Sequence, residues 1–379
     1  MSLPPTPHPS IDLAASMGRL LAERPLDLAD LEAVRLVLRG NSVIDWNRVH
    51  FHTLADVDRF LRLHLVDPHD PDDTRRLRRV HEEAIVYLRE HLGLTFPENL
   101  ANPADPREIF LAASQTGGFR RQQILACVIL KLIHVINHME AAELRFYTPR
   151  SEAELGTLAE ARIVDALSDL RRQGFPLVEF YGSRKERHSV ITKLLAKRDT
   201  TAATVFDKLR FRLVTEKPEQ IVSVMSWLVN HLFPCNYTIP GQSHNNLVRL
   251  DQLLRSPDYA HLLDKLQSWS VEDDDFNPEQ NPFSGSTYRM VNFIVDFPIR
   301  VDQAADPRYI ERFGRVVFVL VEFQVMDAAT AAMNEEGENS HDLYKERQRA
   351  IVGSRLKKGA RWKTTEGERR RGRKRRSGD

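Results

Sequence analysis

The hydrophobic period changes once, at Phe175, and that change divides the chain. Before it, apolar residues recur at spacings of three and four, predicting helices over Ile11–Glu23, Leu28–Leu38, Leu54–Val66, Asp73–Leu92, Pro106–Ser114, Phe119–Phe146 and Glu152–Gln173. From Phe175 the period becomes two. FPLVEFYG closes on Gly182 as a strand, and TVFDKLRFRLVT (Thr204–Thr215), YRMVNFIVDFPI (Tyr288–Ile299) and VVFVLVEFQV (Val316–Val325) follow it. The last is apolar enough for the middle of a sheet. Helices predicted near 185–197, Ile221–Phe233, Leu247–Trp269 and Met326–Ser354 separate the strands, and residues 234–285 are the least regular part. The expected fold class is α+β. A helical domain over 1–150 precedes a mixed-sheet domain over 151–353, and a basic, disordered tail covers 354–379.

Charge separates the tail further. The chain of 379 residues has a net charge of +1, yet residues 354–379 hold 12 Lys/Arg against 3 Asp/Glu, leaving the remainder acidic. A run this dense suits contact with RNA phosphates or the ribosome, with Trp362 able to stack on a base. Two cysteines, Cys127 and Cys235, exclude a disulfide framework and a cysteine zinc site. The N-terminus lacks the charged start and apolar core of a signal peptide, and uninterrupted apolar runs such as Ile124–Leu130 are short. These features predict a cytoplasmic protein with no membrane partner. His134 and His138 are one helical turn apart but lack a third ligand at a recognised spacing, so they read as ordinary helix residues.

The chemistry concentrates after residue 180. Lys185, Ser189 and Lys193 recur every four residues, so on one helix they align two ammonium groups and a hydroxyl along a face suited to a polyphosphate, and Arg184 adds charge near its start. Asp207 opens one strand. Glu322 interrupts the apolar strand VFVLVEFQV and shares a face with Gln324. A carboxylate there is costly unless paired or metal-bound, and two carboxylates on neighbouring strands suit a magnesium ion.

Taken in order, these segments resemble the synthetase domain of the RelA/SpoT family, the alarmone synthetases with a nucleotidyltransferase-like fold. The resemblance rests on Lys185/Ser189/Lys193, Asp207 with Arg212, TYRMVN (Thr287–Asn292), Glu322/Gln324, and Glu335-Glu336-Gly337 leading to His341, Tyr344 and Lys345. It implies an ATP:nucleotide pyrophosphokinase that moves a pyrophosphoryl group from ATP to the 3′-hydroxyl of GDP or GTP. By that resemblance Arg184, Lys185, Ser189 and Lys193 hold the donor phosphates, and Asp207 and Glu322 hold Mg2+. Tyr288 stacks on the acceptor base, while Gln324, Arg212, His341 and Lys345 line the acceptor or phosphate side.

The departures fall mainly on the acceptor side. Ser183 stands where the family has an arginine, Ser286-Thr287 where it has Asn-Gly, Asn292 where it has histidine, and Met326-Asp327 where it has Arg-Thr. Two alternatives therefore accompany the first reading: pyrophosphorylation of an RNA or tRNA 3′ end, and a catalytically silent RNA- or ribosome-binding module. The sequence leaves the acceptor and the oligomeric state open. No hydrolase domain of that family is expected in residues 1–150.

Overall fold

A computed structural model describes residues 26–40, 49–115, 120–196, 209–250, 252, 287–302, 304–336 and 341–356. The expected helices at Ile11–Glu23 and over most of Leu247–Trp269, and the tail after Leu356, lie outside these residues; residues 354–356, expected in the tail, end a helix.

The helical half follows its periodicity. It contains α1 (Leu28–Arg39), α2 (Leu54–Leu63), α3 (Pro71–Leu92), α4 (Glu98–Ala101), α5 (Glu108–Ser114), α6 (Arg120–Tyr147) and α7 (Glu152–Arg172). Caps set several of the boundaries. Asp27, Thr53 and Ser151 each form a capping box with the carboxylate three residues on, and Asp70 caps α3, which has proline in its first turn. Gly40 and Gly93 end α1 and α3 in the left-handed conformation.

Beyond these lie β1 (Leu177–Arg184), α8 (Arg187–Ala196), β2 (Leu209–Thr215), α9 (Gln220–His231), a 3-10 turn at Cys235–Tyr237, β3 (His244–Asn245) and β4 (Val291–Arg300). They are followed by α10 (Pro307–Phe313), β5 (Val316–Asp327), α11 (Ala328–Glu335) and α12 (His341–Leu356). The five strands form one mixed sheet in the order β1-β2-β5-β4-β3. Only β2 and β5 run parallel; the other pairs are antiparallel. The apolar strand β5 is central, as its composition requires.

Some boundaries differ from the periodicity. The expected single helix over Met326–Ser354 starts at Ala328, because β5 runs on to Asp327, whose side chain accepts hydrogen bonds from the Thr330 backbone and hydroxyl, and it is divided into α11, ending at Glu335, and α12, starting at His341. The expected strand from Tyr288 begins at Val291. The two-residue β3 and the single-turn α4 are too short to leave a periodic signature, and the seven-residue α10 was not among the expected helices.

Two compact units account for the chain. The first comprises residues 1–184, 206–279 and 289–332; the second comprises 185–205, 280–288 and 333–379. Residue 150, where the pattern places a boundary, falls inside the first unit, since Leu144 and Leu155 on either side join one hydrophobic core. That core covers one sheet face with α1, α7 and α9. At its centre Phe323 lies 5.2 Å from Phe233, 5.4 Å from Phe293 and 6.1 Å from Phe211 between ring centres. Gly182 leaves room beside it, since a Cβ there would crowd the Phe211 ring at 3.0 Å. A second core joins α3, α5 and α6. The helix α6 is long and apolar enough to cross a membrane, which the uninterrupted apolar runs did not suggest. Its Ala126, Ile129, Ile133 and Leu144 are buried in the protein's own cores, and core helices pass the same length test.

Ion pairs tie α3 and α6 to the sheet end. Arg300 and Arg315 both reach Asp73 at 3.2 Å, and Arg76 and Arg79 hold Glu140 at 2.6 and 2.5 Å. Between these elements lies a cavity of about 90 Å³. Its polar centre is Asn236, whose amide donates to His64 Nε2 at 3.2 Å and His134 Nδ1 at 3.1 Å. Burial pushes His64 down to about 4 and His134 down to about 2, and their mutual repulsion with His138 adds to the effect.

Two stability tests follow from this packing. Phe323→Ala should lower unfolding stability by about 3–5 kcal/mol in urea titrations, because a fully buried ring leaves a cavity. The histidines set a pH dependence. The unfolded chain binds their protons near pH 6.5 and the folded chain does not, so their contribution is complete above 6.5 and is lost as pH falls toward 4. Stability should drop by about 2 kcal/mol per ring between pH 7 and 5, and a His64→Gln, His134→Gln double variant should flatten that limb.

Candidate functional site

Alternation along β5 separates two environments. Val321, Phe323 and Val325 turn into the aromatic core and are fully buried, while Glu322 and Gln324 lie on the opposite face. The parallel register sets Arg210 beside Glu322 and Arg212 beside Gln324. On the other side, β4 sets Asn292 beside Gln324. Beyond β2, β1 sets Ser183 beside Arg210 and Tyr181 beside Arg212. One face of four adjacent strands therefore carries a polar patch on a sheet whose other face is core.

Glu322 is the centre of this patch. It is only 5% exposed, and its carboxylate would be costly there without partners. Arg210 Nε donates to Oε2 at 2.6 Å, Gln324 Nε2 donates to Oε1 at 3.2 Å, and the Asn292 amide also donates to Oε1. Because an ionised carboxylate only accepts, both amides must turn their nitrogen toward it. The Arg212 guanidinium lies 5.7 Å from the centre of the Tyr181 ring, a cation–π contact that holds it at the patch edge.

These groups also set what the site could hold. Three N–H donors fill three of the roughly four lone-pair positions of the carboxylate, leaving one for a further partner. Glu322 thus suits a hard divalent cation as a single-oxygen ligand shared with another carboxylate. Among the described residues no cluster of three His, Cys, Asp or Glu side chains could hold a metal. Asp207, the expected second carboxylate, lies outside the described residues, two positions before β2.

The remaining expected residues fall into two groups. Gln324 and Arg212 are in the patch. Arg184, at the end of β1, is tied to α7, with Nη2 at 2.7 Å from Glu160 and 3.0 Å from the Thr157 hydroxyl. Lys185, Ser189, Lys193, Tyr288, His341 and Lys345 belong to the second unit. There α8 begins at Arg187, so Lys185 precedes the helix instead of sharing it, and only Ser189 and Lys193 align one turn apart on α8. The Glu186 carbonyl accepts from the Ser189 and Val190 amides at the helix start. Helix α8 packs against α12, so the helix of Ser189 and Lys193 lies beside the one that carries His341 and Lys345. Tyr288 lies just before β4.

Arg210 is the residue that sequence reasoning missed. Its signal was present, since it alternates with Arg212 in LRFRLV, but the parallel pairing that sets it beside Glu322 is not written in either strand. Replacing Arg210 with Met should cost about 1–3 kcal/mol of stability by leaving the carboxylate short of its charged donor. Adding Glu322→Gln should recover part of that loss in a double-mutant cycle measured by urea unfolding.

No family model matches the chain, and no curated protein matches it in sequence. Solved structures do. The chain is similar to the small alarmone synthetase 1 from Bacillus subtilis, with 12% identity and a TM-score of 0.30 over 54% of this chain and 87% of that one. The same enzyme bound to its product pppGpp aligns with 13% identity and a TM-score of 0.29 over 59% of this chain and 90% of that one. A GTP pyrophosphokinase family protein from Streptococcus pneumoniae aligns with 12% identity and a TM-score of 0.29, over 54% and 84%.

Proposed function

We propose that this chain is a magnesium-dependent pyrophosphokinase that uses ATP to pyrophosphorylate the 3′-hydroxyl of a guanine nucleotide, GDP or GTP. The observation that carries the reading is the Glu322 carboxylate, buried on the polar face of a mixed sheet, held by Arg210, Gln324 and Asn292, and left with one open ligand position. The ordered motifs from Lys185 to Lys345 support it.

In this reading Lys185, Ser189 and Lys193 grip the donor polyphosphate, with α8 presenting the last two side by side. Arg184, the residue before Lys185 in the chain, is clamped to α7 at the end of β1 and adds a cation to this set. Tyr288 stacks on the acceptor base. Arg212, Gln324, His341 and Lys345 orient the acceptor and its phosphates. The 3′-hydroxyl oxygen attacks the β-phosphorus of ATP, the bond to the α–β bridging oxygen breaks, and AMP leaves. The hydroxyl proton is lost to solvent water, since the one open position of Glu322 is the one the metal would take. Asp207 and Glu322 would hold Mg2+, which neutralises charge on the phosphate oxygens when bound. The residues around it supply alignment, the main demand of phosphoryl transfer.

A second reading has its own observation. Asn292, where the family carries histidine, is spent on Glu322 in this structure, so the acceptor side differs just where an acceptor is chosen. Transfer to an RNA or tRNA 3′ end, with the basic tail holding the RNA, is that reading.

Purified protein given β-labelled ATP, Mg2+ and either GDP, GTP or bulk tRNA separates them. Label on the guanine nucleotide supports the first, label on tRNA supports the second, and transfer to none of them leaves a silent RNA-binding module. Asp207→Asn and Glu322→Gln should each lower transfer by at least about a thousandfold, as loss of a charge-stabilising group does. Activity surviving either change would place the carboxylates elsewhere.

A further inference from the structure

The cavity between α2, α3, α6 and the Cys235–Tyr237 turn lies wholly in the first unit and has no part in the proposed transfer. Its wall is apolar and largely aromatic, including Phe60, Leu61, Phe110, Leu130, Ile133 and Phe318. Three side chains on this wall present donors with no partner among the described residues, and Arg76 Nε and the Asn236 side-chain oxygen are buried there without one as well.

The first is Tyr237. It is only 4% exposed, yet its hydroxyl makes no hydrogen bond among the described residues, and burial holds it protonated by pushing it far above the ordinary tyrosine value. The second is His134 Nε2. Because Nδ1 accepts from Asn236 and the ring is neutral, the proton resides on Nε2, which makes it a donor. The third is Lys131, one turn before His134 on the cavity face of α6.

Charge accounting isolates Lys131. Of the charged residues lining the cavity, Asp73 is held by Arg300 and Arg315, and Arg76 by Glu140. Lys131 alone among them has no ion pair among the described residues. His64 adds nothing to this balance, since it is neutral and both its nitrogens are used, on the Phe60 carbonyl and on Asn236. The cavity therefore offers four donors, of which Lys131 and Arg76 Nε are charged, and one free acceptor, Asn236 Oδ1, beside an apolar slot.

We propose that this cavity binds a small apolar carboxylate. The carboxylate accepts from Lys131, His134 and Tyr237, and the hydrocarbon body fills the slot between the Phe60, Phe110 and Phe318 rings. Size limits the body. A water needs about 10–15 Å³ on this measure, so about 90 Å³ admits some six waters, or a body of about one six-membered ring. The source is a free short acid and not a long acyl chain.

Benzoate is the probe, titrated calorimetrically into the full chain, with benzyl alcohol as the uncharged comparator and dodecanoate as the long one. Benzoate should bind at least about tenfold more tightly than benzyl alcohol. Lys131→Met, at a half-buried position, and Tyr237→Phe, which keeps the ring, should each weaken benzoate about tenfold while the unliganded thermal midpoint stays put. A variant that loses its midpoint is replaced by Leu130→Trp, which fills the slot and should abolish binding. No heat with benzoate, equal affinity for benzyl alcohol, tighter dodecanoate, or undiminished binding by Lys131→Met would each overturn the proposal.

Discussion

The parallel pairing of β2 with β5 is the constraint on which the site depends. Around these two strands every other sheet neighbour is antiparallel, and this one register sets a guanidinium beside a carboxylate that neither strand could bury alone. A one-residue slip would turn Arg210 and Glu322 into the aromatic core and bring Phe211 and Phe323 out to the polar face. The core and the site are thus two readouts of a single register. The four-phenylalanine cluster makes that register costly to change, and the polar patch uses the face it leaves over.

The patch shows how a buried charge is accommodated without a hydrophobic substitute. Glu322 gains one charged and two amide donors from three strands, so its ionised form keeps the hydrogen bonds it surrenders on leaving water. One lone-pair position remains open, and that residual capacity distinguishes a carboxylate fit for chemistry from one wholly consumed by structure. The cavity in the helical half has the opposite character. There the histidines are held neutral by burial, Asn236 spends both its N–H groups on them, and the donors left over face an apolar slot.

Much of this was legible in the residues. The period change at Phe175, the central place of Val316–Val325 and the helical boundaries at Asp27, Thr53 and Ser151 follow from spacing and capping chemistry, which are local. Glu322 was conspicuous because a carboxylate in an apolar strand demands a reason. The identity of its partners was not legible. Arg210 lies 112 positions away and Asn292 lies 30 away, and only strand order brings them to it. Local spacing also overextended one feature: Lys185, Ser189 and Lys193 fit a helical repeat, yet α8 starts at Arg187, after β1 has run on to Arg184.

By itself the sequence determined the helix-then-sheet order, the face each strand residue would take relative to its neighbours, and the presence of one carboxylate that had to be answered. These are consequences of period and polarity, which act within a segment. The tertiary structure alone decided which cation and which amides answer it, that Arg184 is held by Glu160 on α7, and that Lys131, His134 and Tyr237 converge on one cavity. Those are contacts between distant segments, set by strand register and helix packing, for which no single segment carries the information.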